Sequence, residues 1–324
     1  MSEHQVLYLS RADVEAVGVT MREIIDALEV AFREHGLGHA EMPPKPGIHT
    51  RPDAFIHAMP AYIPALRAAG MKWVSGYPDN QTKGLPYISG LLILNDDDTG
   101  LPLAVMDCTW ITGMRTGAAT ALAARYLARR ESESVGILGC GVQGRTNLEA
   151  LKTLFPVKRV MAYDRKPESA VHYAQEVRER WGLEVTVVSN PREAVTGCDM
   201  IVTAGPILKH PHATIKAGWM DAGAFASMVD YDSYWDAGAL QEVDKFTTDD
   251  VPQLEYYRSV GYFQSIPPIH ASLGELVTGA KPGRQSAVER TIACNLGLAL
   301  DDMATAPIVF RRAMERELGT WLPL

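Results

Sequence analysis

Cysteine is scarce in this chain. Cys108, Cys140, Cys198 and Cys294 are the four among 324 residues, widely spaced, with no CxxC pair and no Cys/His cluster. Neither a disulfide framework nor a metal site is therefore expected, and reduced thiols fit a cytoplasmic protein. Long apolar runs are missing too, and none approaches the roughly 20 residues of a membrane span. The opening Met-Ser-Glu-His-Gln has no basic segment followed by an apolar core, so no secretory signal is expected. Basic runs and aromatic-plus-basic patches are absent, and the formal net charge is −8. That field opposes nucleic acid and anionic membrane as partners. There is no internal repeat and no low-complexity tract. What remains is an ordinary globular composition, 47% hydrophobic and 22% charged. The length suits about two domains at roughly 150 residues each.

One segment stands out from this background. Residues 134–144 read Ser-Val-Gly-Ile-Leu-Gly-Cys-Gly-Val-Gln-Gly, a short apolar strand running into a GxGxxG turn at Gly139, Gly141 and Gly144. A helical stretch from Arg145 to Phe155 follows, and Asp164 closes the next apolar run, Arg159–Tyr163. The glycines allow a tight turn, close approach of the backbone to a pyrophosphate, and close helix–strand contact. The N–H groups that open the helix, around Val142 and Gln143, would face the phosphates. Asp164 stands at the offset expected for the acid that binds the ribose hydroxyls. It favours NAD, because a carboxylate repels a 2′-phosphate. Arg165 and Lys166 follow it, and cations there keep NADP open as the alternative.

The pattern around this motif divides the chain. Before it, strands are expected at Val6–Leu9, Phe55–Met59, Gly70–Ser75, Ser89–Leu94 and Leu103–Met106, with turn residues Asn95–Gly100 joining the last two as a hairpin. Thr20-x-x-Glu23 reads as a capping box for a helix to about His35, and a small-residue helix is expected over Thr112–Ala128. From Ser134, strands at 135–139, 159–163, 184–188 and 200–204 alternate with helices, the signature of a doubly wound parallel sheet. Further strands are expected near Ala222–Ala226 and Lys245–Thr248, then a long helix from about Gln285 to Ala306. The fold class is thus α/β: a Rossmann-type sheet plus a mixed α+β domain. The expected division is 1–128 for substrate binding and dimerisation, joined by a C-terminal helix at about 300–324, and 129–299 for the dinucleotide. Thr203 and Ala204 end a strand at the edge where such sheets bind ligands.

Several residues outside the fingerprint could carry chemistry. Arg115 is expected in the first turn of its helix, where a cation opposes the helix dipole unless an anion lies nearby. A substrate carboxylate would supply that anion, and an internal acid would do so equally. Lys72 shares a strand face with Val74, and burial there would bring its pKa toward the range useful for proton transfer. Lys45 sits in the stiff Met42-Pro-Pro-Lys-Pro46 stretch, and His57 shares a face with Phe55 and Met59. His210 and His212, two apart in a loop, are poor metal ligands.

At these residues the chain resembles the ornithine cyclodeaminase/mu-crystallin family. The likeness runs through Met59-Pro60, Gly70-Met-Lys72, Gly76-Tyr-Pro-Asp-Asn80, Asp107 to Thr120, Gly139–Gly144 and Asn295–Asp302. It implies a homodimer, a Rossmann domain and a pocket for a carboxylate-bearing amino or imino acid. It places the family's pocket arginine on Lys45, its substrate lysine on Lys72 and its carboxylate-binding arginine on Arg115. The cyclodeaminase's pocket glutamate falls on His57. Its catalytic aspartate, in a Gly-Gly-Asp segment after the last apolar Rossmann strand, falls on Phe225 of Gly223-Ala-Phe225, with Asp230 and Asp232 nearby. That loss of acids argues against ornithine cyclisation. Asp230–Trp235 and the Lys45 segment are similar to a branch of the family associated with tyramine oxidase.

The expected function is an NAD(P)-dependent oxidoreductase acting on the C–N bond of a small amino or imino acid. Arg115, Lys45 and Lys72 would bind the substrate, with Lys72 and His57 as the catalytic candidates. The alternative is a non-catalytic nucleotide-binding protein, either an accessory subunit of an amine oxidase or a mu-crystallin-like carrier.

Overall fold

The structure, a computed structural model, describes residues 4–51 and 53–324. It divides into two compact units, one ending at Arg115 and resuming over Leu298–Leu324, the other spanning Thr116–Gly297. The first crossing falls inside one continuous helix, Thr109–Leu127.

The first unit is built on a seven-stranded sheet. Its order is Thr320–Pro323, Gln5–Leu9, Pro102–Asp107, Ile88–Asn95, Ala68–Gly76, Phe55–Ile63 and Gly47–Ile48. All pairings are antiparallel except that of Gln5–Leu9 with Pro102–Asp107. The Asn95–Gly100 hairpin forms as its turn residues predict. Alternation gives the sheet one inner face, and helices Met21–Gly36 and Ala299–Glu315 cover it. Thr20 and Glu23 make the expected capping box. Glu23 also receives Arg312 from the C-terminal helix at 2.6 Å. That contact, with the Thr20 donors, holds its carboxyl down at about 2. Among the described residues the other sheet face is the more exposed one. Tyr8, Trp73 and Leu91 lie on it, each 39–44% exposed.

The second unit holds an eight-stranded, wholly parallel sheet. Its order is Ile269–Ser272, Lys245–Thr248, Thr291–Cys294, Phe225–Met228, Met200–Thr203, Ser134–Leu138, Arg159–Tyr163 and Glu184–Val187. The central strands are buried on both faces, as a parallel sheet between helices requires.

Four local expectations are corrected. The stretch from Gln285 is not one long helix. Thr291–Cys294 is a central strand, and Gly297 at φ +76° breaks the chain before the helix starts at Ala299. The connection before Met200–Thr203 is only a 3-10 turn, Pro191–Ala194. The small-residue helix begins at Thr109, so Arg115 lies beyond its first turn and the dipole argument does not apply. Finally, the strand expected near Ala222–Ala226 runs over Phe225–Met228, so Phe225 opens it. Its ring is core, and the residues that follow this strand are Val229 and Asp230.

Candidate active site

In the Thr116–Gly297 unit the fingerprint forms a cradle. Gly139 takes φ +109°, and a Cβ on it would press on the Ala204 carbonyl. A Cβ on Gly144 would strike the Gly139 carbonyl, so helix Val142–Leu154 can approach the turn only through a glycine. At Gly141 an added Cβ would meet nothing within 4 Å, which leaves open space above the loop. Gly141 is also the helix N-cap and offers no side chain to the first-turn N–H groups. Those uncapped donors and that space fit a dinucleotide pyrophosphate. Asp164 accepts from the Cys140 N–H at 2.8 Å and from the Lys166 N–H at 2.9 Å, which fixes the carboxylate at the strand end. Arg165 and Lys166 remain exposed. Arg145 braces the turn from behind, donating to the Cys140 carbonyl and pairing with Glu176 at 2.6 Å. Burial pushes the Cys140 thiol up to about 12, so it remains a neutral spacer.

Residues after the neighbouring strands add a group that the sequence indicated only weakly. Asp230 is fully buried and accepts from Thr203 Oγ1 at 2.6 Å and from the Gly205 N–H at 2.9 Å. Burial outweighs those donors and lifts its carboxyl to about 7. Asn295, 5% exposed, follows Thr291–Cys294, and neither its amide nitrogen nor its oxygen has a hydrogen-bond partner among the described residues. Both residues stand at the C-terminal edge of the parallel sheet, the edge where doubly wound sheets take ligands. Asp230 was obscured by the displaced Phe225 register. Asn295 was visible in sequence only as the start of the family-like stretch Asn295–Asp302.

In the other unit Lys72 and Arg115 do come together, and on acids. Lys72 is fully buried and lies 2.7 and 2.8 Å from the two oxygens of Asp302. Its ammonium also reaches Thr112 Oγ1 at 3.3 Å. Arg115 lies 3.2 Å from Asp301 and 3.3 Å from Asp302. Two cations thus meet two carboxylates, and of the two sources of counter-charge open to Arg115 the internal one is present. Burial and the Arg115 charge depress the Lys72 pKa despite Asp302. Lys72 and Asp302 are 230 positions apart, so no sequence window reveals the pair.

His57 lies two residues from Met59, the register partner of Lys72. Phe55 stacks on its ring with centroids 4.4 Å apart. Burial, with the nearby charges of Lys45, His49 and Lys72, lowers its pKa to about 3, so it is neutral at pH 7. His210 and His212 take part in no metal-ligand cluster among the described residues. No helix among those residues is long and apolar enough to cross a membrane.

Cradle and acid anchor have the form of a dinucleotide-binding unit of the Rossmann type. The chain belongs to the ornithine cyclodeaminase/mu-crystallin family, whose pattern matches residues 4–317. It is 36% identical over 328 residues to the alanine dehydrogenase of Archaeoglobus fulgidus, across 98% of each chain. Its fold is similar to an archaeal alanine dehydrogenase dimer with bound NAD, with a TM-score of 0.89, 35% identity, and coverage of 99% of this chain and 100% of that one. It is also similar to the Thermococcus litoralis Δ1-pyrroline-2-carboxylate reductase in complex with NADH and L-proline. There the TM-score is 0.88 and the identity 34%, over 97% of this chain and 99% of that one.

Proposed function

We propose that the protein uses NAD(H) to oxidise or reduce the C–N bond of a small amino or imino acid. The observation that carries this is a buried lysine–arginine pair held by two acids in one unit, together with an open, uncapped glycine cradle in the other. The relatives are a dehydrogenase and a reductase of such acids, one holding NAD and one NADH with L-proline.

Gly139, Gly141, Val142, Gln143 and Gly144 would hold the pyrophosphate, and Asp164 the ribose hydroxyls. Thr203 and Ala204 would line the same edge. When bound, the cofactor supplies the hydride that turns a C=N bond into CH–NH. The reaction also needs one proton, taken up at nitrogen in reduction and released in oxidation. Arg115 binds the substrate carboxylate through its guanidinium fork. Lys72, its pKa lowered by burial, holds a proton beside the reacting nitrogen, and Asp302 orients the ammonium. Asp230, lifted to about 7, is the second group poised to carry a proton at neutral pH. What departs from the cyclodeaminase pattern is His57 at the place of the pocket glutamate, because the acid after the last strand is present as Asp230.

The more exposed sheet face supports a homodimer. Tyr8, Trp73 and Leu91 form part of an apolar surface that a second copy would bury. Trp73→Lys should shift the particle mass in light scattering toward the monomer; an unchanged dimer would place the interface elsewhere.

The test of function is NADH consumption across 2-oxo acids with ammonia or methylamine, and across cyclic imines. Turnover on at least one class is expected. Tight NADH binding without turnover on any would favour the nucleotide-binding carrier instead, with the Asp301 and Asp302 contacts then serving structure alone.

A further inference from the structure

The parallel sheet ends in a level row of residues. Leu138 pairs with Tyr163 on one side and Thr203 on the other, Thr203 pairs with Met228, and Ser227 pairs with Ala293. Carried past the strand ends, those registers bring Asp164, Gly139, Ala204, Val229 and Asn295 level across five adjacent strands. The strand order turns back at Ser134–Leu138: the next two strands lie on one side of it and the later ones on the other. Ligands of doubly wound sheets lie across such a turning point. With Asp164 on the ribose of the adenosine half, Asn295 stands on the side that receives the other half of a dinucleotide. The ledge between them is accessible, because Gly139, Ala204 and Val229 are half-buried whereas the strands they follow are buried.

Asn295 has a fixed backbone and an unused side chain. Cys294 before it pairs with Thr248, and Asp249 accepts the N–H of Gly297 after it at 2.8 Å. Its amide nitrogen and oxygen, both buried, have no hydrogen-bond partner among the described residues. A buried donor or acceptor left unmade is costly, and an apolar side chain of that size would avoid the cost. Having no hydrogen bond to break, the side chain can turn toward the ledge freely. Its chemistry restricts what it takes there. The nitrogen donates and the oxygen accepts. A carboxylate or phosphate would satisfy the nitrogen and set oxygen against oxygen. A carboxamide answers both atoms at once.

We infer that Asn295 binds the nicotinamide carboxamide and so sets how the ring lies at the sheet edge. This rests on the NAD(H) reading of the cradle, and ADP-ribose separates the two, because it has both riboses and the pyrophosphate but no nicotinamide. The native protein and Asn295→Leu are titrated calorimetrically with NADH and with ADP-ribose. NADH should bind the variant at least about tenfold more weakly, as the loss of two neutral hydrogen bonds implies, and ADP-ribose should bind both proteins alike. A second comparison needs no variant. The native protein should bind NAD about threefold or more tightly than its 3-acetylpyridine analogue, which keeps the carbonyl and lacks the amide N–H. Equal weakening of NADH and ADP-ribose in the variant, unchanged NADH affinity, or equal binding of NAD and the analogue by the native protein overturns the inference and leaves the cradle in place. Failure of ADP-ribose to bind the native protein would overturn the cradle reading as well.

Discussion

The glycine cradle and the Lys72–Arg115 cluster handle charge in opposite ways. The cradle offers free donors where its helix begins: the helix starts without a side-chain cap, and space stands open above Gly141. The cluster carries its own counter-charge, with two cations on two carboxylates and almost no exposure. A site of the first kind is filled by an anionic ligand. One of the second kind admits a ligand carboxylate only by competing with its own acids. Such competition makes binding sensitive to geometry and keeps the lysine poised without letting it repel its neighbour. The cradle is therefore expected to set cofactor affinity, and the cluster both stability and substrate choice.

The largest expected effect sharpens that contrast on the cluster side. Asp302→Ala leaves Lys72 buried without its closest acid, and removing one partner of a buried pair costs about 3–5 kcal/mol. Denaturant melts should show it. The double change Lys72→Met with Asp302→Leu should restore most of the loss. A single variant as stable as the native protein would mean the pair contributes nothing. On the cradle side, Asp164→Ala removes a charge-assisted contact worth about 1.5–3 kcal/mol. NADH binding should weaken by about tenfold or more while the melt hardly moves. If NADPH binds the native protein better than NADH, the ribose role of Asp164 is wrong.

Arg115→Ala should raise the substrate KM by at least about tenfold and leave NADH affinity near its native value. Weakened NADH binding with unchanged KM would reverse the assignment of the two regions. The subtlest effect concerns Asp230. An acid raised to about 7 is protonated below that value and loses its proton above it. In the reductive direction the rate should fall as pH rises through about 7, and Asp230→Asn should flatten that limb. Because the folded-state pKa lies above the unfolded one, its contribution to stability is full below about pH 4 and is lost as pH rises through about 7. An unaltered pH profile in the variant would leave Asp230 as an anchor for Thr203 and Gly205 only.

These differences also explain what could be read in advance. The cradle was legible because it is local: strand, turn, helix and acid lie between Ser134 and Asp164, and Gly139 and Gly144 each answer to a nearby backbone carbonyl. Lys72 on an apolar strand face and the Asn95–Gly100 hairpin were legible for the same reason. Asp301 and Asp302 were visible only as part of a family-like stretch. Their contacts with Arg115 and Lys72 span 186 and 230 positions. The register slip at Phe225 arose because Gly223-Ala-Phe225 runs into a four-residue strand that Phe225 itself opens, with no alternation to show where it starts. Thr291–Cys294 misled in a similar way. A short β-branched run next to a helical pattern gives no period of its own, and only its two parallel neighbours make it a strand.

The central claim is hydride transfer to a carbon–nitrogen bond, and isotope transfer tests it most directly. The protein is incubated with NADH deuterated at C4, in turn on each face, together with an oxo acid and an amine or a cyclic imine. The product is then examined by mass spectrometry. The account predicts one deuterium at the α-carbon of an amino or cyclic imino acid, from one face only. Product without deuterium from either face, or NADH bound and never consumed with any substrate class, would contradict it.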